Sequence, residues 1–115
     1  MPIEKFRAAR TPFYYYDITL LRKTIEDVKN EAAKYDNFVV HYAVKANVNP
    51  KILKIISEGG LGADCVSGGE IEAAMRAGFP SSGIVFAGVG KADWEINTAL
   101  DANIFCFNVE SVPEL

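Results

Sequence analysis

Apolar residues along the chain fall into two rhythms that take turns. Over 18–35, Leu21, Ile25, Val28 and Ala32 recur at helical spacing with Lys, Glu and Asp between them, which predicts an amphipathic helix. Asp17 stands where a cap belongs, and the helix should end near Tyr35. Residues 38–45 then read as a strand. Asn49-Pro50 reads as an N-cap and first helical residue, because proline has no N–H to lose there. Ile52, Leu53 and Ile56 supply the apolar stripe, and Gly59-Gly60 stops that helix. The pair of elements repeats. Residues 62–67 read as a strand. Ser67 and Glu70 have capping-box spacing, with Ile71, Ala74 and Met75 facing inward, and Gly78 and Pro80 at the end. Residues 84–89 predict another strand, Trp94, Ile96 and Leu100 another helix, and 104–109 a fourth strand of the series. Ahead of it, the aromatic run 13–16 has high strand preference.

The strands of this series begin roughly every 20–24 residues, each followed by one helix, and such a βα repeat builds a parallel sheet with helices outside. A doubly wound sheet and a (β/α)8 barrel both satisfy it. Ser111, Pro113 and Glu114 signal a further helix start just before Leu115. The chain therefore reads as the N-terminal piece of a longer protein, its four βα units being about half of what a barrel needs.

Composition narrows the function classes. The 115 residues are 50% hydrophobic and 23% charged, enough for a core and against disorder. Lys+Arg number 12 against Asp+Glu 15, a net charge of -3, so neither nucleic acid nor an anionic membrane is the expected partner. No apolar run approaches the roughly 20 residues of a membrane span, and the N-terminus lacks the apolar core of a secretory signal. Cys65 and Cys106, with a single histidine, argue against a zinc site and fit reduced thiols in a cytoplasmic protein.

The segment 38–47 carries the chemistry. Side chains alternate across a strand, so Val40, Tyr42 and Val44 share one face, and Val39, His41, Ala43 and Lys45 the other. Lys45 then stands at the strand's C-terminal end, where barrel active sites form. Poor hydration there would lower the amine's pKa and make it a nucleophile able to form a Schiff base. Ala43 beneath it leaves room for a flat ring. On spacing alone, the commoner reading of such a lysine is a solvated terminal charge. Asp64, on the neighbouring strand, stands where it can approach Lys45 from the side; a strand-end carboxylate bonding nearby backbone N–H groups fits equally well. Gly68-Gly69 and Gly88-Val89-Gly90-Lys91 suggest phosphate cradles, yet capping explains the first and a tight strand-to-helix turn the second, so neither is assigned. His41 reads as a core or supporting residue, and the two cysteines as small apolar groups.

Tyr42-Ala43-Val44-Lys45-Ala46-Asn47 resembles the lysine motif of the fold-type III pyridoxal-phosphate enzymes, alanine-racemase-like barrels with an added β-domain. Thr11-Pro12-Phe13-Tyr14 through Asp17, Gly62-Ala63-Asp64-Cys65-Val66-Ser67-Gly68-Gly69-Glu70 and Asn108-Val109-Glu110-Ser111 resemble further segments in the same order. The Ser-Gly-Gly-Glu and Ala-Val-Lys-Ala-Asn versions are most similar to the members that decarboxylate meso-diaminopimelate; ornithine-type members usually carry a lysine where Gly68 stands. The resemblance implies an α/β fold, the N-terminal part of a pyridoxal-phosphate-binding (β/α)8 TIM barrel, cut before barrel closure and before the C-terminal β-domain. Residues 1–17 would be an N-terminal segment and strand associating with that domain, and 18–115 the first half of the barrel. It implies that Lys45 is the catalytic residue and Schiff-base carrier of pyridoxal 5'-phosphate, with Asp64 also cofactor-binding and no metal. The implied reaction is decarboxylation of an amino acid, meso-diaminopimelate to L-lysine and CO2, by a homodimer when full length. The phosphate loop, the partner of the pyridine nitrogen, the ring-stacking histidine and residues lent across a dimer interface are implied downstream, so the piece alone is expected to be inactive. Decarboxylases of ornithine, arginine or carboxynorspermidine are the alternatives, followed by a non-catalytic pyridoxal-phosphate-binding regulator.

Overall fold

Four short strands carry the architecture: β1 (His41–Ala43), β2 (Gly62–Cys65), β3 (Ile84–Phe86) and β4 (Cys106–Phe107). The computed structural model describes residues 3–115; the first two residues of the expected 1–17 segment lie outside it. The strands pair in parallel in the order β1-β2-β3-β4. One helix joins each to the next: α3 (Pro50–Glu58), α4 (Gly68–Arg76) and α5 (Asp93–Asp101), with α1 (Ile3–Ala8) and α2 (Ile18–Ala32) ahead of β1. A doubly wound sheet reverses its strand order at a switch point. Strictly sequential order is the wall of a (β/α) barrel, and it decides between the two architectures that the repeat allowed.

The register divides the sheet into two faces. Ala63 pairs with Tyr42 and Ile84, Phe86 with Cys65 and Phe107, and parallel partners point the same way. On this face Ala63, Cys65, Ile84 and Phe86 are buried against Leu53, Ile56, Ile71, Ala74 and Ala99 of the helices. The opposite face carries His41, Ala43, Gly62, Asp64, Val85 and Cys106.

Local signals fixed the helix starts as read. Asp17 Oδ1 accepts the Leu20 N–H at 3.0 Å, Asn49 Oδ1 that of Lys51 at 3.0 Å, and Ser67 Oγ that of Glu70 at 3.2 Å. The Glu70 carboxylate reaches back to Val66 N–H (2.8 Å). After α3, Gly60 adopts φ +82°, the left-handed step that glycine takes without penalty.

Several expectations are corrected. The strand expected over 38–45 is ordered as a ladder only at His41–Ala43 and passes into a 3-10 turn, Val44–Ala46. The aromatic run 13–16 joins no ladder; strand preference is realised only beside a partner strand. Phe13 and Tyr15 pack instead on Phe6 of α1, with ring centroids 5.6 and 4.9 Å away, and Tyr14 stacks on Tyr16 at 6.4 Å. The helix expected to Tyr35 ends at Ala32. Met75, expected to face inward, is exposed. Met75 lies one helical step round from Ala74, which with Ile71 sets the inner edge of α4. In α5 the buried position is Ala99. The helix start at 111–114 is a 3-10 turn, Val112–Glu114, without a side-chain bond from Ser111.

Candidate functional site

Lys45 sits in the turn that leaves β1 at the C-terminal end of the sheet. Val44, fully buried, anchors the turn in the core; Lys45 beside it is exposed. Among the described residues its ammonium has no hydrogen-bond or ion-pair partner. The expected strand position of Lys45 is corrected: the ladder ends two residues earlier, at Ala43, and Lys45 stands in the turn that follows. The turn itself is firmly held. Tyr42 Oη donates to the Asn47 carbonyl (3.3 Å), Asn47 Nδ2 donates to Tyr16 Oη (3.1 Å), and Asn47 Oδ1 accepts the Asn49 N–H (2.9 Å). Burial pushes the Tyr42 hydroxyl pKa up. Sequence reasoning missed this tie, having read the aromatic run as strand packing.

Asp64 lies on the same open face, in register with Ala43 on β1 and Val85 on β3. Its Oδ1 is buried without a hydrogen-bond partner, so this oxygen is not spent on backbone N–H groups. An unpaired buried acceptor is costly, and it marks a place for a donor. The His41 ring lies against Gly62, further back along the strand than Lys45. Cys65 is buried on the helix side, and burial pushes its thiol up to about 12, which makes it a packing residue. Cys106 is half-buried on the open face.

The two glycine segments are engaged internally. Gly68 N–H donates to Glu95 Oε1 (2.7 Å) and Ala92 N–H to Glu95 Oε2 (2.9 Å). These bonds, that from Ala92 foremost, hold the Glu95 carboxyl below the usual carboxylate range. Trp94 roofs Gly68 so closely that a Cβ there would lie 2.8 Å from the indole. In the other segment, the Lys91 side chain is only 1% exposed. Its Nζ donates to the carbonyls of Gly88 (2.7 Å) and Asn108 (2.8 Å) and to the Glu114 carboxylate, 5.5 Å from the centre of the Phe86 ring. The other Glu114 oxygen accepts the Glu110 N–H at 2.7 Å. Lys91, then Glu110, hold the Glu114 carboxyl below its ordinary pKa. An ammonium has three protons, and here all three are taken. Nothing in the sequence signalled this contact, whose ends are 23 residues apart.

Among the described residues no group of three His, Cys, Asp or Glu could hold a metal ion, and no helix is long and apolar enough to cross a membrane. The sequential parallel βα wall is that of a barrel, with Lys45 in the turn at the C-terminal end of its first strand and Ala43 in register with Asp64, whose Oδ1 is unpaired, on the open face. Residues 21–115 match the family described as the pyridoxal binding domain of pyridoxal-dependent decarboxylases, and the chain belongs to that family. The chain is 68% identical over 114 residues to the diaminopimelate decarboxylase of Bacteroides thetaiotaomicron, covering 99% of this chain and 30% of that relative. It also superposes on the crystal structure of the Helicobacter pylori diaminopimelate decarboxylase complexed with L-lysine (TM-score 0.86, 43% identity, 97% of this chain and 28% of that one). The likeness to the ornithine decarboxylase of Entamoeba histolytica is lower, with a TM-score of 0.76 at 27% identity over 86% of this chain and 30% of that one. The chain thus spans less than a third of the length of each of these three relatives.

Proposed function

We propose that this chain is the cofactor-carrying part of a decarboxylase acting on meso-diaminopimelate, with Lys45 as the covalent carrier of pyridoxal phosphate and Asp64 beside it. The observation that carries the reading is the Lys45 amine, without a partner among the described residues, on a turn pinned by Val44 and tied by Asn47. When bound, pyridoxal phosphate supplies an electron sink for the pair left behind by a departing carboxylate. Lys45 would hold the cofactor's aldehyde through Nζ. The orphaned Asp64 oxygen would accept a hydrogen bond from a donor brought onto the open face, and its charge would favour the charged form of a lysine brought near it. In the overall reaction the substrate loses one carboxyl group as CO2, gains a proton at that carbon and becomes L-lysine.

The substrate follows from the relatives, a lysine-bound structure among them. It is supported at position 68, where the ornithine-type members resembled by the sequence carry a lysine and this chain has a glycine roofed by Trp94. A homodimeric, cytoplasmic enzyme belongs to the same proposal. The test is CO2 release by the whole protein loaded with pyridoxal phosphate. Meso-diaminopimelate should be turned over with kcat/KM at least about 100-fold above ornithine and arginine. Preference for ornithine would overturn the substrate, and retention of the cofactor without any CO2 release would favour a regulator.

A further inference from the structure

Lys91 lies outside the site just described, yet it is the most heavily engaged cation in the structure. It joins three stretches of backbone: Gly88 in the turn after β3, Asn108 just past β4, and, through Glu114, the N–H of Glu110. All lie beyond the C-terminal ends of β3 and β4, the end of the sheet at which Lys45 leaves β1. Gly88 takes φ +125°, so the turn is built to bring its carbonyl round to the ammonium. A buried lysine is tolerated only when every donor is met and its charge is balanced, and both hold here.

We infer that Lys91 is a positioning residue: it clamps the loops after β3 and β4 into one body and so sets the part of the site's rim that an amino-acid substrate meets. The kinetic part of this inference rests on the decarboxylase reading above. Loss of the ammonium frees Gly88 and Asn108 together and lets the rim move, while the turn that carries Lys45, two strands away, keeps the bonds made by Asn47. Substrate binding should suffer and the chemical step should not.

The test uses the whole protein with Lys91→Met, and with Lys91→Met combined with Glu114→Gln, which removes the unbalanced charge in case the single variant does not fold. In the double variant, amide hydrogen exchange over 87–91 and 108–114 should quicken about tenfold or more, the weight of one charge-assisted hydrogen bond, with α3 unchanged. KM should rise by about tenfold with kcat within about threefold, the signature of lost uniform binding. Unchanged exchange in those two loops would overturn the clamp. Quickened exchange with an unchanged KM would overturn its role at the rim. Exchange is read without cofactor or substrate, so it judges the clamp even if CO2 release by the unaltered protein fails.

Discussion

Two lysines stand at the same end of one sheet, in the loops after β1 and β3, and they have opposite lives. Lys45 is exposed and, among the described residues, unpartnered. Lys91 is 1% exposed and meets two carbonyls and a carboxylate above the Phe86 ring. Position at a strand's C-terminal end does not separate them; the supply of acceptors does. The turn after β3 folds its own carbonyl back onto the ammonium, whereas the turn after β1 satisfies itself through Asn47 and leaves its lysine over. A lysine with three acceptors holds structure together, and one with none is available for chemistry.

The sharpest way to break this contrast is Lys45→Ala in the whole protein. CO2 release from meso-diaminopimelate should fall to background while stability stays within about 0.5 kcal/mol, as for an exposed side chain without partners; a loss of stability comparable to a core variant would mean that Lys45 is structural too. Phe86→Ala removes the floor beneath Lys91 and a fully buried ring. It should cost about 3–5 kcal/mol by denaturant titration. The smallest effect is pH-dependent. Because the folded Glu114 carboxyl lies below its ordinary pKa, the clamp contributes fully above the unfolded carboxylate value of about 4.3 and is lost as pH falls toward the folded value. Amide protection in the loops after β3 and β4, measured against the intrinsic exchange rate at each pH, should therefore fall in acid, while protection in the Lys45 turn should not follow.

What was legible in the sequence was local. Asp17, Asn49 and Ser67 cap their helices because capping needs only residues within one turn. The βα repeat and the lysine segment were legible for the same reason. The pairing limits of β1 were not, since a ladder lasts only as long as its neighbour and β2 is four residues long. The aromatic run 13–16 had strand preference but no strand to pair with, and Phe13 and Tyr15 closed on Phe6 instead. Met75 and Trp94 fitted an apolar rhythm, yet small residues, Ala74 and Ala99, fill the inner edge of their helices. Most telling is Gly88–Lys91. Its residues were read as a tight turn, and the reason for the lysine lies at Asn108 and Glu114, beyond the reach of any local pattern.

The most direct measurement is borohydride reduction of the whole protein saturated with pyridoxal phosphate, followed by peptide mapping. The account predicts a single pyridoxylated lysine, Lys45, with Lys91 unmodified. Label on Lys91, or a protein that holds the cofactor without any label on Lys45, would contradict it.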